Sequence, residues 1–315
     1  MVVNVAQAAL PLSQVIRPTA LIDPRFLSEH LGARVTLASE TFQHTGSFKF
    51  RGAYNVALNA PQNEIIAASS GNFGQALAYA CKLLGKKCTV VMPASSAAVK
   101  IDAVRSHGAV VDLIDTKHKS RAQRIKELAS ENPDAYVASA YDDDFVIDGN
   151  STLGAELAAS GRSWDVVLAP VGGGGLISGV AKGLRAAGDR TDVRGAEPAL
   201  GNDAARSLRA GRIIANDAEP ATIADGARTV SLGVRNWEIV RREVSDIVEV
   251  SEQNLAEAVR LLFRLANLKV EPTGALAIGA ILEQPDRFRG RSVCCVVSGG
   301  NVDPLTYARL LSGEI

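Results

Sequence analysis

The chain has 315 residues, with 34 Lys plus Arg balancing 34 Asp plus Glu, and four cysteines. Zero net charge removes the field that nucleic acid, an anionic membrane or a polyanionic partner would use, so a small, near-neutral ligand fits better. Cys81, Cys88, Cys294 and Cys295 have no metal-ligand spacing and read as buried thiols of a reducing compartment. With neither a leader-like N-terminus nor an apolar run of about 18 residues, the expectation is a soluble cytoplasmic protein.

The length fits two domains, or one large α/β unit with a smaller lobe. Taken from the N-terminus, the first informative segment is Thr45-Gly46-Ser47-Phe48-Lys49-Phe50-Arg51-Gly52-Ala53. Thr45 and Ser47 are candidate helix caps, and the lysine behind them has two readings. It is either an ordinary solvated amine, or a desolvated one whose lowered pKa makes it a nucleophile. Ser69-Ser70-Gly71-Asn72-Phe73-Gly74-Gln75 precedes a helical pattern beginning near Gln75. Exposed N–H groups and the helix dipole at such a turn suit a carboxylate; a plain N-cap turn is the alternative.

Residues 88–92, closed by Pro93, a helical stretch over about 97–107 and a strand at 109–114 make one βαβ unit, and this alternation predicts parallel sheets flanked by helices. A strand at 165–169 runs into Gly172-Gly173-Gly174-Gly175 and a helix ending near Ala187. Four residues without Cβ let the backbone wrap a phosphate at a helix start, or simply make a tight turn. The dinucleotide fingerprint fails on spacing, because the sixth positions are Ile177 and Ser178. Ser251 caps a helix with Leu255, Val259, Leu262 and Ala266 on one face. A strand at 292–297 ends in Ser298-Gly299-Gly300-Asn301, where the hydroxyl either meets a ring nitrogen or caps the turn.

In this order the strings resemble the fold-type II pyridoxal-phosphate enzymes, specifically the serine/threonine dehydratase and serine racemase branch, from Arg17-Pro18-Thr19 to Asp303. The resemblance implies a tryptophan synthase β-like fold with a discontinuous cofactor domain (1–54 and 143–315) and a small domain (55–142) closing over the substrate. It implies that Lys49 holds pyridoxal 5′-phosphate as a Schiff base, that Phe48 stacks on the ring, and that Gly172 to Gly175 with Leu176 hold the phosphate. Asn72 then contacts the 3′-oxygen, Ser298 faces the ring nitrogen, and Glu271 lies near the ring. Glu197, the Gly201 carbonyl and Asp203 are similar to the racemase-branch site for Mg²⁺ or Ca²⁺, an all-oxygen set; a solvated acidic turn is the other reading.

The implied reaction is loss of a β-hydroxyl from an amino acid, giving a 2-oxo acid and ammonia, with Lys49 as the base. Ser70, the second serine of its string, is the residue that exchanges a proton on the opposite face in the racemase branch, which makes racemisation the alternative. A non-catalytic cofactor-binding protein on this fold is a third reading. Ser69, Ser70, Gly71, Asn72, Phe73 and Tyr141 are the expected substrate contacts. Phe73 stands where relatives carry histidine. It either lines an apolar pocket with Tyr141 or turns into the small-domain core and offers only its backbone. A homodimer acting on a small amino acid, without a C-terminal regulatory domain, completes the expectation.

Overall fold

The computed structural model describes residues 10–69, 71–96 and 98–315. Among them, ten strands form two sheets. The larger has the order β1-β2-β10-β7-β8-β9, with β1 Ala20–Ile22, β2 Arg34–Ser39, β7 Val166–Pro170, β8 Asp192–Pro198, β9 Val244–Val250 and β10 Ser292–Val297. The smaller has the order β5-β4-β3-β6, with β3 Glu64–Ala68, β4 Lys87–Pro93, β5 Val110–Ile114 and β6 Tyr136–Ala138. Every pairing is parallel except β1 with β2, as the strand–helix alternation predicts.

The central strands β7 and β10 are apolar because both faces of their sheet are covered. Alternate residues serve opposite faces: Val166 and Leu168 of β7 pack with Val293 and Cys295 of β10, while Val167 and Ala169 pack with Cys294 and Val296. All four cysteines are buried free thiols. A separate core forms on the smaller sheet around Ile65, Leu77 and Val90.

The helix Lys49–Asn59 joins these units. Phe50, Ala53 and Val56 enter the smaller sheet's core, while Arg51, fully buried, is tied to the larger unit. Its guanidinium meets Glu40, just after β2, at 2.7 Å and Glu156, on the helix Asp144–Ala159, at 2.7 Å, and also donates to Thr19 and Thr152. Such bidentate pairing fixes direction as well as distance.

Two helices differ from expectation. The helix Asn72–Leu84 starts three residues earlier than its apolar pattern, with Gly71 at its N-cap and Ser69 Oγ accepting from the N–H groups of Gly71 (3.3 Å) and Gly74 (3.0 Å). The helix Ala98–Arg105 ends before His107, in a turn through Gly108, whose φ is +85°. Ser251 caps Glu252–Ala266 as its pattern requires, accepting from Asn254 N.

Candidate active site

The turns after β3, β7 and β10 all leave the carboxyl ends of parallel strands, where open α/β sheets place ligands. Their positions are fixed by backbone pairing. Phe48 N donates to Ser298 O at 2.9 Å, Gly300 N donates to Gly46 O at 3.0 Å, and Ser47 bridges Gly299. The lysine segment and the Ser298 turn are therefore one unit.

Lys49 opens its helix, and its amine donates to Ala140 O at 2.9 Å, 5.0 Å from the centre of the Phe48 ring and 5.9 Å from that of Phe73. The side chain is half-buried by surface area. Burial pushes the amine's pKa down to about 8, against the opposing charge of Glu271.

Glu271 is itself buried and held up to about 8, first by desolvation, then by the nearby charge of Asp225. Asn72 Nδ2 donates to Glu271 Oε1 at 2.8 Å, and Asn72 Oδ1 accepts from Asn301 Nδ2 at 2.9 Å, which sets the sense of the Asn72 amide. Around this chain lie hydroxyls with no partner among the described residues: Ser298 Oγ, Ser47 Oγ and Thr45 Oγ1. Buried hydroxyls without partners are costly, and a polar group in the cleft would satisfy them.

Gly172 to Gly174 lie between β7 and the helix Gly175–Ala186, with Gly174 left-handed at φ +93°. A Cβ on Gly173 would run into the Tyr141 ring, which lies over the loop. Asn150 Nδ2 donates to Gly175 O and Asn236 Nδ2 to Gly173 O, each at 3.0 Å. With these carbonyls engaged on the protein side, the loop can offer its N–H groups and the helix dipole to an anion. Leu176 packs into the core and contributes only backbone.

Phe73 is buried in the smaller unit's core, and its ring still lies 5.9 Å from the Lys49 amine. Ser70 lies outside the described residues. The three acids after Tyr141 are structural. Asp142 accepts from Val234 N and Arg235 N, Asp143 caps its own helix at Phe145 N and Val146 N, and Asp144 pairs with Arg235.

Glu197 and Asp203 are buried together near the Gly201 turn. Glu197 takes N–H groups from Ala204 and Ala205, whereas Asp203 Oδ2 has no partner among the described residues. Burial drives Glu197 well above the usual carboxylate range and Asp203 up to about 7. This pair is not a solvated acidic turn.

Sequence reading missed Asn236 and the cations at the cleft edge. Lys100 meets Asp225 at 2.6 Å, and Arg121 pairs with Glu219, with its charge felt at the Tyr141 hydroxyl. Nothing local marks Asn236 or Arg121, whose partners lie far along the chain.

Residues 12–299 match the family described as pyridoxal-phosphate dependent enzymes. An L-threo-3-hydroxyaspartate ammonia-lyase from a Pseudomonas species is 38% identical over 98% of both chains, and a serine racemase from Schizosaccharomyces pombe is 34% identical over 98% of this chain and 96% of its own. The crystal structure of a threonine deaminase from T.th. superposes with a TM-score of 0.86 at 42% identity, covering 93% of this chain and 95% of that one. A buried amine of lowered pKa, a glycine loop at a helix start and unpartnered hydroxyls between them are the features a phosphorylated aromatic aldehyde requires, and the chain belongs to the pyridoxal-phosphate dependent enzymes of fold type II.

Proposed function

We propose that the protein is a pyridoxal-phosphate-dependent ammonia-lyase that removes the β-hydroxyl of a 3-hydroxyaspartate, releasing a 2-oxo acid and ammonia. The observation that carries the reaction is the Lys49 amine, desolvated to a pKa of about 8 inside this cleft. An amine poised near neutrality is both a nucleophile toward an aldehyde and a base.

The cofactor, bound at Lys49, supplies an electron sink that acidifies the substrate Cα–H. The remaining work falls to the chain. Gly172 to Gly175 present N–H groups to the phosphate, and Phe48 packs beside the ring. Ser298 offers a neutral hydroxyl to the ring nitrogen, so it does not stabilise a full positive charge there as a carboxylate would. Asn72, oriented by Asn301 and Glu271, presents its remaining N–H to the 3′-oxygen. The Lys49 amine, held at Ala140 O, would be the group that takes up the Cα proton. Ser69, Gly71 and the N-terminus of Asn72–Leu84 receive the α-carboxylate, with Phe73 acting through its backbone.

The substrate class rests on the relatives named for hydroxyaspartate, one from Pseudomonas at 38% identity and one from Saccharomyces cerevisiae at 36%. A second carboxylate needs a cation, and Arg121 and Lys100 supply two at the cleft edge. Serine racemases among the relatives keep racemisation, through Ser70, as the second reading. The division into a cofactor domain and a closing lobe (55–142), the homodimer and the cytoplasmic location belong to the same proposal; among the described residues no helix is long and apolar enough to cross a membrane. Glu197, Asp203 and the Gly201 carbonyl fit Mg²⁺ or Ca²⁺, because a cation would satisfy Asp203 Oδ2 and relieve two repelling buried acids.

The test is a panel of 3-hydroxyaspartate, serine and threonine stereoisomers scored by kcat/KM for 2-oxo acid, ammonia and enantiomer exchange. Hydroxyaspartate should lead by on the order of 10-fold or more. Lys49→Ala should lose turnover by roughly 10³-fold or more, together with borohydride-trappable cofactor. A lead for threonine or serine would sink the substrate class, and trapping on another lysine would sink the site.

A further inference from the structure

We infer that Asn236 is a positioning residue that shapes the anion loop and, through the same amide, the segment on which Lys49 rests. Asn236 lies in the first turn of the helix Val234–Glu243 and is fully buried. Its Nδ2 carries two protons, and both have partners in the site: Gly173 O at 3.0 Å and Tyr141 O at 2.9 Å.

The first bond orients the loop. A peptide that turns N–H groups toward a phosphate must keep its carbonyls away, since two oxygens of negative charge repel. The Gly173 carbonyl is drawn to the opposite side by Asn236 and by Gly233 N at 3.1 Å. A Cβ at Gly174 would meet Asn236 Cβ at 2.8 Å, so the asparagine packs directly under the left-handed residue of the loop.

The second bond reaches the lysine. Tyr141 follows Ala140, whose carbonyl accepts the Lys49 amine at 2.9 Å. Asp142 then accepts from Val234 N and Arg235 N, so two consecutive residues, 141 and 142, are stitched to the start of one helix. The anion loop and the resting place of the amine are thus held through one side chain. Asn236 touches no reacting atom, and its part is to keep these two ends of the site in register.

The experiment uses the full-length protein with Asn236→Asp, which keeps the shape and removes both N–H donors, and Asn236→Ser, which keeps one short donor and adds no charge. For each, the dissociation constant of pyridoxal 5′-phosphate is measured by visible absorbance on the apoprotein, the competition of inorganic phosphate is measured against it, and apoprotein melting is recorded separately. The expected order of cofactor affinity is parent, then Asn236→Ser, then Asn236→Asp, with the last weaker by about 10-fold or more and phosphate competition weakened in parallel. A role in folding alone would lower the apoprotein melting temperature and leave both constants at the parent value, and that result from Asn236→Ser or from Asn236→Asp overturns the inference. Since the readout is binding rather than turnover, failure here is distinct from failure of the proposed reaction.

Discussion

The two sheets differ in what holds them to the active site. In the larger, β7 is buried from end to end and both faces are apolar. In the smaller, the central strands β3 and β4 are as deeply buried, but the edge strand β5 leaves Val110 and Leu113 exposed, and Lys100 and Arg121 reach across to the other unit through ion pairs with Asp225 and Glu219. Apolar packing is rigid and non-exchangeable, whereas exposed ion pairs are weak and a substrate carboxylate can replace one partner. On the proposed function, retention of the cofactor and selection of the substrate would therefore draw on different physical forces in different parts of the chain.

The sharpest way to break that contrast is to mutate a strand on each side. Leu168→Ala in β7 should lower unfolding stability by about 2–5 kcal/mol, because a close-packed face cannot collapse around the cavity. Val110→Ala in β5, at 63% exposure, should change it by no more than about 0.5 kcal/mol in either direction. Denaturant midpoints of the apoprotein check both, and equal losses would show that the edge strand β5 is as tightly packed as the central strand β7.

A change of intermediate size is expected at the cleft edge. Arg121→Ala should raise KM for 3-hydroxyaspartate by roughly 10- to 100-fold and leave KM for serine within about 3-fold. An equal rise for both substrates would place Arg121 on the shared α-carboxylate and not on the distal one.

The smallest effect concerns protons. Glu271 raises the Lys49 pKa against its burial, so Glu271→Gln should move the amine's titration below about 8 in the apoprotein, by about one unit or less. Mass-spectrometric labelling of Lys49 against pH reads this directly. The stability signs are opposite for the two groups. Lys49 is depressed from 10.5, so its penalty is complete below about 8 and fades as pH rises toward 10.5; Glu271 is raised from 4.5, so its penalty grows as pH rises from 4.5 through about 8. The pair alone makes the apoprotein least stable near pH 8. Glu271→Gln should abolish the decline on the acid side and keep the rise on the alkaline side.

What was legible in the sequence is what the backbone demands locally. Four successive glycines and the serine–glycine string before Asn72 each announce a turn or a helix start within a few residues, whereas Thr45 and Ser47 do not cap the lysine helix, whose N-cap is Phe48 without a side-chain bond. The strand pattern of 292–297 and the cap at Ser251 are local in the same sense. Partners chosen by the fold leave no such mark. Glu271 is 199 positions from Asn72, and Asn236 is 63 from Gly173. The acids Asp142, Asp143 and Asp144 that follow Tyr141 serve two helix caps and one surface pair, because carboxylates are at home at helix N-termini. The position of Phe73 beside Asn72 says nothing about rotation around the helix, and its ring goes to the core.

Arg51 gives the lysine helix a mechanical role. A fully buried guanidinium held by two carboxylates is a weak source of stability, since an apolar trio of similar volume often does as well or better. What such a cluster provides is a bearing. Glu40 and Glu156 grip the helix two residues beyond Lys49, while the next turns are embedded in the other sheet's core. On the proposed reading of a closing lobe, rocking of the smaller unit would turn about a point beside the reactive amine, and Lys49 would translate little.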